Sequence, residues 1–306
     1  MSLRLLAIFM AVTVAFTGTA AAQPWKDQVK TVRIGILSGE NEKDRIQRYE
    51  GFKAYMAKEL ATPVEIFTAS SYDGVIQALA GKQIEFAFLG SSAYAAAWTE
   101  TKGGVEPLLA KKESDGSTGY FSVVVARCDS PYKTIDDLKG KVLAFADPDS
   151  TSGYAVPYFN LRKQGYQPET FFKSIPFSGA HETGVLGVVN RQFDAAATYI
   201  NNEKNGIPQR MVSKGIIKAG EACIIWTSPE ITNGPVTTRV DLNPALKKAV
   251  TAAILAFPTK EPAVFTAMDG GTTSTATGYF EVDHIRYDWI VELRDVIREL
   301  RKKRGS

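Results

Sequence analysis

Histidine and cysteine each occur only twice in 306 residues. That is too few for a metal cluster of the usual ligand count. The chain has no Gly-x-Ser-x-Gly elbow and no His-Glu-x-x-His pair, so two common hydrolase signatures are missing. Excess charge of either sign is small. The 36 Lys and Arg against 33 Asp and Glu leave +3, and removal of the first 22 residues, which carry Arg4 alone, leaves +2. Bulk charge therefore gives no sign of nucleic-acid binding. After residue 22 no apolar run approaches the ~20 residues of a transmembrane helix.

What is present starts with "MSLR" and the apolar run Leu5 to Phe16, then "TGTAAAQ". One positive charge, a short apolar core and small residues at Ala20 and Ala22 predict a signal peptide over 1–22, cleaved before Gln23. No cysteine lies near that site to carry a lipid anchor, so a soluble periplasmic protein is expected. Cys128 and Cys223 each border an apolar β-like run, "YFSVVVARC" and "CIIW". If those runs pair antiparallel the thiols can meet as a disulfide, which an oxidising compartment permits; otherwise they are two buried thiols.

Short β-like runs alternate with helical ones. "TVRIGIL", "PVEIFTA" and "IEFAFLG" read as strands, separated by helical patterns at 42–61 and 72–81. On the first helix Ile46, Tyr49, Phe52, Met56 and Leu60 form one stripe. The order predicts an α/β sheet with right-handed crossovers. The pattern restarts after "GYFSVVVARC" (119–128). Two lobes are expected, one from 31–120 plus 227–283 and one from 121–226, each a mixed, mostly parallel sheet flanked by helices. The runs at 119–128 and 222–229 would cross between them as a two-strand hinge. A C-terminal helix is expected over 284–306, with Ile285, Ile290, Leu293, Ile297 and Leu300 inward. "DGGTTSTATGYF" (269–280) lacks a phosphate-loop lysine and reads as a connection.

"DPDSTSGYAVPYF" (147–159) sets Ser150, Thr151, Ser152 and Gly153 where a helix begins. An N-cap needs one hydroxyl. Three exceed that need and can donate to an anion at the helix's positive end, with Gly153 allowing close approach. His181 opens another helix in "FSGAHETG", where the positive helix end favours its neutral form. Ser91 and Ser92 in "FLGSSAY" begin a helix directly after a strand, and "LSGEN" (37–41) also lies at a strand end. Ligands of open α/β sheets sit at such carboxyl ends. Asp147 and Asp149 fit turn chemistry, or Asp147 accepts a hydrogen bond from a protonated ligand oxygen.

Together "DPDSTSGYAVPYF", "GAHETGVLGVVNRQFDAAAT", "SYDGVIQAL" and "GYFSVVV" resemble the periplasmic substrate-binding proteins of phosphonate, phosphite and phosphate ABC transporters, over about 31 to 260. The resemblance implies the two-lobed type II periplasmic binding fold, closing by hinge motion on a small phosphorus oxyanion. It implies Ser150, Thr151, Ser152 and His181 as donors to the ligand oxygens, and Tyr72 and Tyr120 as aromatic walls. A membrane permease and its ATPase would be the partners. No cofactor, no metal and no nucleic acid are expected, and a monomer is.

Two departures narrow the ligand. Relatives that bind aminoalkylphosphonates hold the ammonium with carboxylates. Asn201 stands at one such position, with Glu203 close by, and Asn233 or Gly234 at the other. A buried ammonium without a carboxylate is costly, so a compact anion or a neutral substituent fits better. Two other functions remain in competition: a sensory module for an anion-responsive receptor, and a secreted phosphoester hydrolase using Ser150 or Thr151 with His181. The hydrolase would need a group to orient its base, and none is visible.

Overall fold

The computed structural model describes residues 24–305. The expected signal peptide, 1–22, lies outside the described residues. Among the described residues the strands are β1 (Val32–Ile36), β2 (Val64–Thr68), β3 (Phe86–Phe88), β4 (Val105–Glu113), β5 (Gly119–Arg127), β6 (Leu143–Ala144), β7 (Ala195–Ile200), β8 (Ala222–Thr227), β9 (Ile231–Thr232), β10 (Pro235–Arg239) and β11 (Ala276–Glu281). The helices are α1 (Glu42–Leu60), α2 (Tyr72–Ala80), α3 (Ser91–Glu100), α4 (Val156–Lys163), α5 (Pro168–Phe171), α6 (His181–Val189), α7 (Ile207–Ser213), α8 (Pro244–Lys260), α9 (Pro262–Asp269) and α10 (Asp288–Gly305). No helix among them is long and apolar enough to cross a membrane.

The strands form two sheets. One has the order β11-β4-β10-β3-β1-β2, the other β6-β7-β5-β8, with β9 paired to the start of β5. Both are mixed. The expectation of mostly parallel pairing is corrected: β1 with β2, β1 with β3 and β6 with β7 are parallel, while six pairs are antiparallel. The reason is the path of the chain. It leaves the first sheet after β4 and returns into it as β10, which must run against its neighbours. The runs expected to cross between the lobes, 119–128 and 222–229, instead lie side by side in the second sheet as β5 and β8, and the connections between sheets are the short segments at 114–118 and, between β9 and β10, at 233–234. There the Asn233 N–H donates to the Thr118 carbonyl at 3.0 Å.

Local chemistry sets the elements of the first lobe. Asn41 caps α1 by accepting from the Asp44 N–H, and Ser71 caps α2 by accepting from that of Gly74. The inner face of α1 buries Phe52, Met56 and Leu60 in one core with Val250, Ile254 and Phe257 of α8. Each such burial contributes about 1.5–3 kcal/mol. Ile46 and Tyr49 of the expected stripe are only half-buried, and Tyr49 lines the cleft.

In the second lobe Val123, Val124 and Val125 of β5 are fully buried, on a strand covered on both faces. The Cys128 and Cys223 sulfurs are bonded at 2.04 Å, where β5 ends beside the start of β8. Two other expectations need correction. The connection read at 269–280 contains β11, an edge strand paired with β4. In the C-terminal stripe Ile290, Leu293 and Ile297 are buried but Ile285 is 75% exposed. Residues 284–287 form a 3₁₀ turn, whose three-residue period presents Tyr287 to the core instead.

Candidate functional site

β6 runs out into Phe145–Asp149, and the chain then enters a wide turn at Thr151–Ala155 before α4. Ser150 is the cap. Its Oγ accepts from the Gly153 N–H at 2.9 Å. The first turn is π-type, with the Ala155 N–H donating to the Ser150 carbonyl at 3.0 Å. Such turns recur at functional sites because they widen the helix mouth. Ser150 therefore satisfies the capping need by itself, and the hydroxyls of Thr151 and Ser152 are surplus to it. Thr151 Oγ1 accepts from the Ser92 N–H at 2.8 Å, and the Ser152 carbonyl accepts from the Ser122 hydroxyl of β5 at 2.6 Å.

His181, the first residue of α6, is buried. Its Nε2 lies 3.2 Å from Ser150 Oγ and its Nδ1 3.2 Å from Thr198 Oγ1, so β7 fixes the ring from behind. Burial pushes its pKa down to about 4. The imidazole is neutral at pH 7, and desolvation is the leading cause. Gly153 faces this ring: a Cβ there would come within 2.8 Å of His181 Cε1 and 2.5 Å of the Ala146 methyl. Its role is to let the ring pack down onto the turn, and it does not line the cavity.

Ser150, Thr151, Ser152, His181, Tyr72, Tyr120 and Asn201 all line one cavity of about 270 Å³ between the two sheets. The Tyr72 hydroxyl faces Ser150, and that of Tyr120 faces Thr151 and Ser152. Burial pushes the Tyr120 pKa up to about 12 and that of Tyr72 well above its ordinary value. Both remain protonated donors at neutral pH. Each comes from a different element, α2 and β5, so the hydroxyl cluster is assembled by both lobes.

Ser91 and Ser92 do not line the cavity. Both are fully buried behind it. Ser91 Oγ donates to the Thr232 carbonyl at 2.6 Å, and Ser92 Oγ accepts from Arg294 of α10 at 2.8 Å. Asp147 is likewise turned away. Its carboxylate accepts from the N–H groups of Asp149, at 2.8 Å, and Tyr72, at 3.3 Å. Asp149 pairs with Arg294 at 2.7 Å. The turn-chemistry alternative holds for both.

At Asn201 the amide nitrogen donates to Glu113 at 3.0 Å, and Oδ1 is buried without a hydrogen-bond partner. Glu203 is exposed and does not line the cavity. A side chain at Gly234 would fall 2.0 Å from the Leu89 carbonyl oxygen, so the backbone crossing itself forbids a carboxylate there. The cleft does contain carboxylates, but not at the positions where relatives hold an ammonium. Glu40, after β1, meets Arg48 of α1 at 2.9 Å and Arg210 of α7 at 3.2 Å. Burial raises its pKa, and the two guanidinium groups outweigh burial to hold it at about 2. Asp269, at the end of α9, meets Lys111 at 2.8 Å, and Glu113 meets the same ammonium at 3.1 Å. Of these residues only Glu40 was detectable, through the strand-end rule. "LSGEN" lies at the end of β1, and the helix that follows it carries Arg45 and Arg48, while Lys111 comes from β4 and Arg210 from α7.

Among the described residues no group of three or more His, Cys, Asp or Glu is placed to hold a metal ion. The site can do one thing well. It can surround a small oxyanion with neutral donors in the cavity between the sheets.

A family model described as "ABC transporter, phosphonate, periplasmic substrate-binding protein" matches residues 34–278. The chain is 31% identical over 230 residues to the phosphonates-binding periplasmic protein of Escherichia coli, covering 74% of this chain and 65% of that protein, just under two thirds of its length. It is 27% identical over 223 residues to the phosphate-import protein PhnD of Mycolicibacterium smegmatis, covering 70% of this chain and 68% of that protein. A solved binding-protein component of an ABC phosphonate transporter from Pseudomonas aeruginosa superposes with a TM-score of 0.76 at 24% identity, over 86% of this chain and 85% of that one. That likeness fixes the fold as a two-lobed type II periplasmic binding protein. The match to the family model extends from β1 into β11, across both lobes and the cavity they enclose, and the chain belongs to the family of phosphonate-type periplasmic substrate-binding proteins of ABC transporters.

Proposed function

We propose that the protein is the solute-capturing component of an ABC importer for a phosphorus oxyanion: a phosphonate, phosphite or phosphate. One observation carries this reading. Ser150, Thr151, Ser152, His181, Tyr72 and Tyr120 reach one cavity from both lobes, and none of them bears a charge at neutral pH. Hydrogen bonds to a charged group contribute about 1.5–3 kcal/mol each. Several of them acting on three phosphorus oxygens supply affinity without a metal.

Capture follows from the fold. The ligand enters while the lobes are apart, and closure about the two short connections brings Tyr72 from one lobe against Ser150 of the other. The closed form is what a permease and ATPase would meet, and the expected leader would deliver the chain to the periplasm. The far wall of the cavity favours an uncharged substituent. Glu40, Asp269 and Glu113 are already matched to Arg48, Arg210 and Lys111, which leaves no free carboxylate there for an ammonium arm.

The contact between Ser150 and His181 does not favour a hydrolase. A base held near pKa 4 draws a proton weakly, and its second nitrogen faces the hydroxyl of Thr198, not a carboxylate.

The test is a thermal-shift and calorimetry panel of phosphate, phosphite, methylphosphonate and 2-aminoethylphosphonate on the mature protein. At 100 times its Kd a ligand adds about 2.7 kcal/mol to stability. Stabilisation by at least one of the four is expected. Silence toward all of them overturns the function, and a wide advantage for the aminated ligand overturns the assignment of the far wall.

A further inference from the structure

Arg45 sits in the first turns of α1 with its side chain in the cavity wall, and it is 4% exposed. Its Nη1 donates to the Leu37 carbonyl at 2.8 Å, and its Nε is buried without a hydrogen-bond partner. No carboxylate oxygen among the described residues comes within 4.0 Å of the guanidinium. The other cations of this wall differ. Arg48, Lys111 and Arg210 each meet at least one carboxylate. Of the two carboxylates that act on Arg45 from further off, Glu42 accepts from the Thr68 hydroxyl and Glu40 places both oxygens on Arg48.

A buried guanidinium without a counter-ion is unfavourable, and breaking a buried pair by removing its anion is strongly so. Arg45 has no direct ion-pair partner among the described residues, although Glu42 and Glu40 act on it from further off. Its hydrogen bond to Leu37 places it at the end of β1, two residues before Gly39. A Cβ on Gly39 would lie 3.2 Å from the Tyr72 hydroxyl and 3.3 Å from His181. The hydrogen bond thus ties the charge to the strand end that leads into the Gly39 turn beside the hydroxyl cluster, in the same cavity lining as the paired cations.

We propose that Arg45 is a ligand-binding residue whose missing counter-ion is the bound phosphorus oxyanion. The inference rests on the functional reading above and deepens it. Ser150, Thr151, His181 and the tyrosines set the geometry of the oxygens, and Arg45 supplies the fixed positive charge. Arg48, Arg210 and Lys111 each meet a carboxylate directly, so Arg45 is the lining cation left for a negative charge on the ligand. The ligand class is an oxyanion of phosphorus with an uncharged substituent.

The experiment compares wild type with Arg45→Gln and Arg45→Met by calorimetry against methylphosphonate and inorganic phosphate, at two ionic strengths, together with melting of the unliganded proteins. Both neutral variants are expected to bind the preferred anion roughly 10- to 100-fold more weakly. Their unliganded melting points should equal or exceed that of wild type, because an unpaired buried charge has been removed. Arg45→Lys should recover part of the affinity. Affinity unchanged in both neutral variants overturns the inference alone. So does a fall in unliganded stability with affinity retained, or failure of both variants to fold, since each marks a structural guanidinium. A wild-type protein that binds none of the phosphorus oxyanions refutes the functional reading, and this inference with it.

Discussion

The backbone N–H of Ser92 meets Oγ1 of Thr151 at 2.8 Å, joining residues 59 apart in sequence and on opposite lobes. The bond occupies a lone pair of the threonine oxygen and leaves the hydroxyl proton to be given elsewhere. Closure of the lobes thus orients the donor that a ligand oxygen needs. Thr151→Val, which keeps the shape and removes the hydroxyl, should weaken binding by about 1.5–3 kcal/mol, and Thr151→Ser should recover most of it. Calorimetry with the best ligand of the panel checks this. Equal affinity in Thr151→Val would remove the residue from the site.

Gly153 gives a second check on the same turn. A methyl group there meets Ala146, Ser150 and His181 at 2.5 to 2.8 Å. None of these can retreat cheaply in a buried turn, and overpacking costs typically 1–3 kcal/mol. Gly153→Ala should therefore lower stability and displace His181 from Ser150. Affinity should fall along with the melting temperature. A variant that binds and melts like wild type would show that the turn is looser than described.

His181 links stability to pH. The unfolded chain takes up its proton near 6.5, whereas burial delays uptake in the native protein to about 4. Between those values the unfolded state binds more protons, so stability falls as pH falls through this window. The loss is roughly 2 kcal/mol by pH 5. Glu40, held at about 2, adds its own loss only below its ordinary value of 4.5. Asp147, raised by burial, acts in the opposite sense. Denaturant titrations of the unliganded protein at pH 7 and pH 5 should show this loss in wild type and much less of it in His181→Gln. An equal loss in both proteins would assign the acid sensitivity elsewhere.

The bond between Cys128 and Cys223 closes 95 residues of sequence, almost the whole second lobe. A loop of that length corresponds to about 4–5 kcal/mol in the chain-entropy account, with 2–4 kcal/mol typical of measurement. Thiol titration of the unfolded, unreduced protein should find no free thiol. Reduction, or paired replacement by Ala, should lower the melting temperature while leaving the ligand contacts intact. Two titratable thiols in protein exported to an oxidising compartment would contradict the bond.

Much of the first lobe was legible because β1, β2 and β3 and the helices between them follow the two periodicities that sequence displays. β4 and β10 were not read. β4 contains Pro107 and the charged run Lys111 to Glu113, and β10 begins at Pro235, so neither has a strand's usual signature. They pair because the chain path brings them together. The hydroxyl cluster was readable from consecutive residues, and His181 from its loop. The ion pairs of the far wall were not. Glu40, Arg210 and Asp269 come from three elements far apart in sequence, and a charge in a helix's first turns reads as solvated until the partner lobe is in place. Ser91 and Ser92 followed a sound rule about strand ends, but their helix points its hydroxyls at Thr232 and Arg294.

The ion pairs Glu40 to Arg210 at 3.2 Å and Lys214 to Asp44 at 3.4 Å each have one member in either lobe. Letting the cargo go therefore means pulling opposite charges apart and returning them to water. Mobile ions make that separation cheaper, most of all at the half-exposed Lys214 and Asp44. On the proposed function, the dwell time of a captured molecule would thereby be set partly by the saltiness of its surroundings, even for a cargo that touches none of these four side chains.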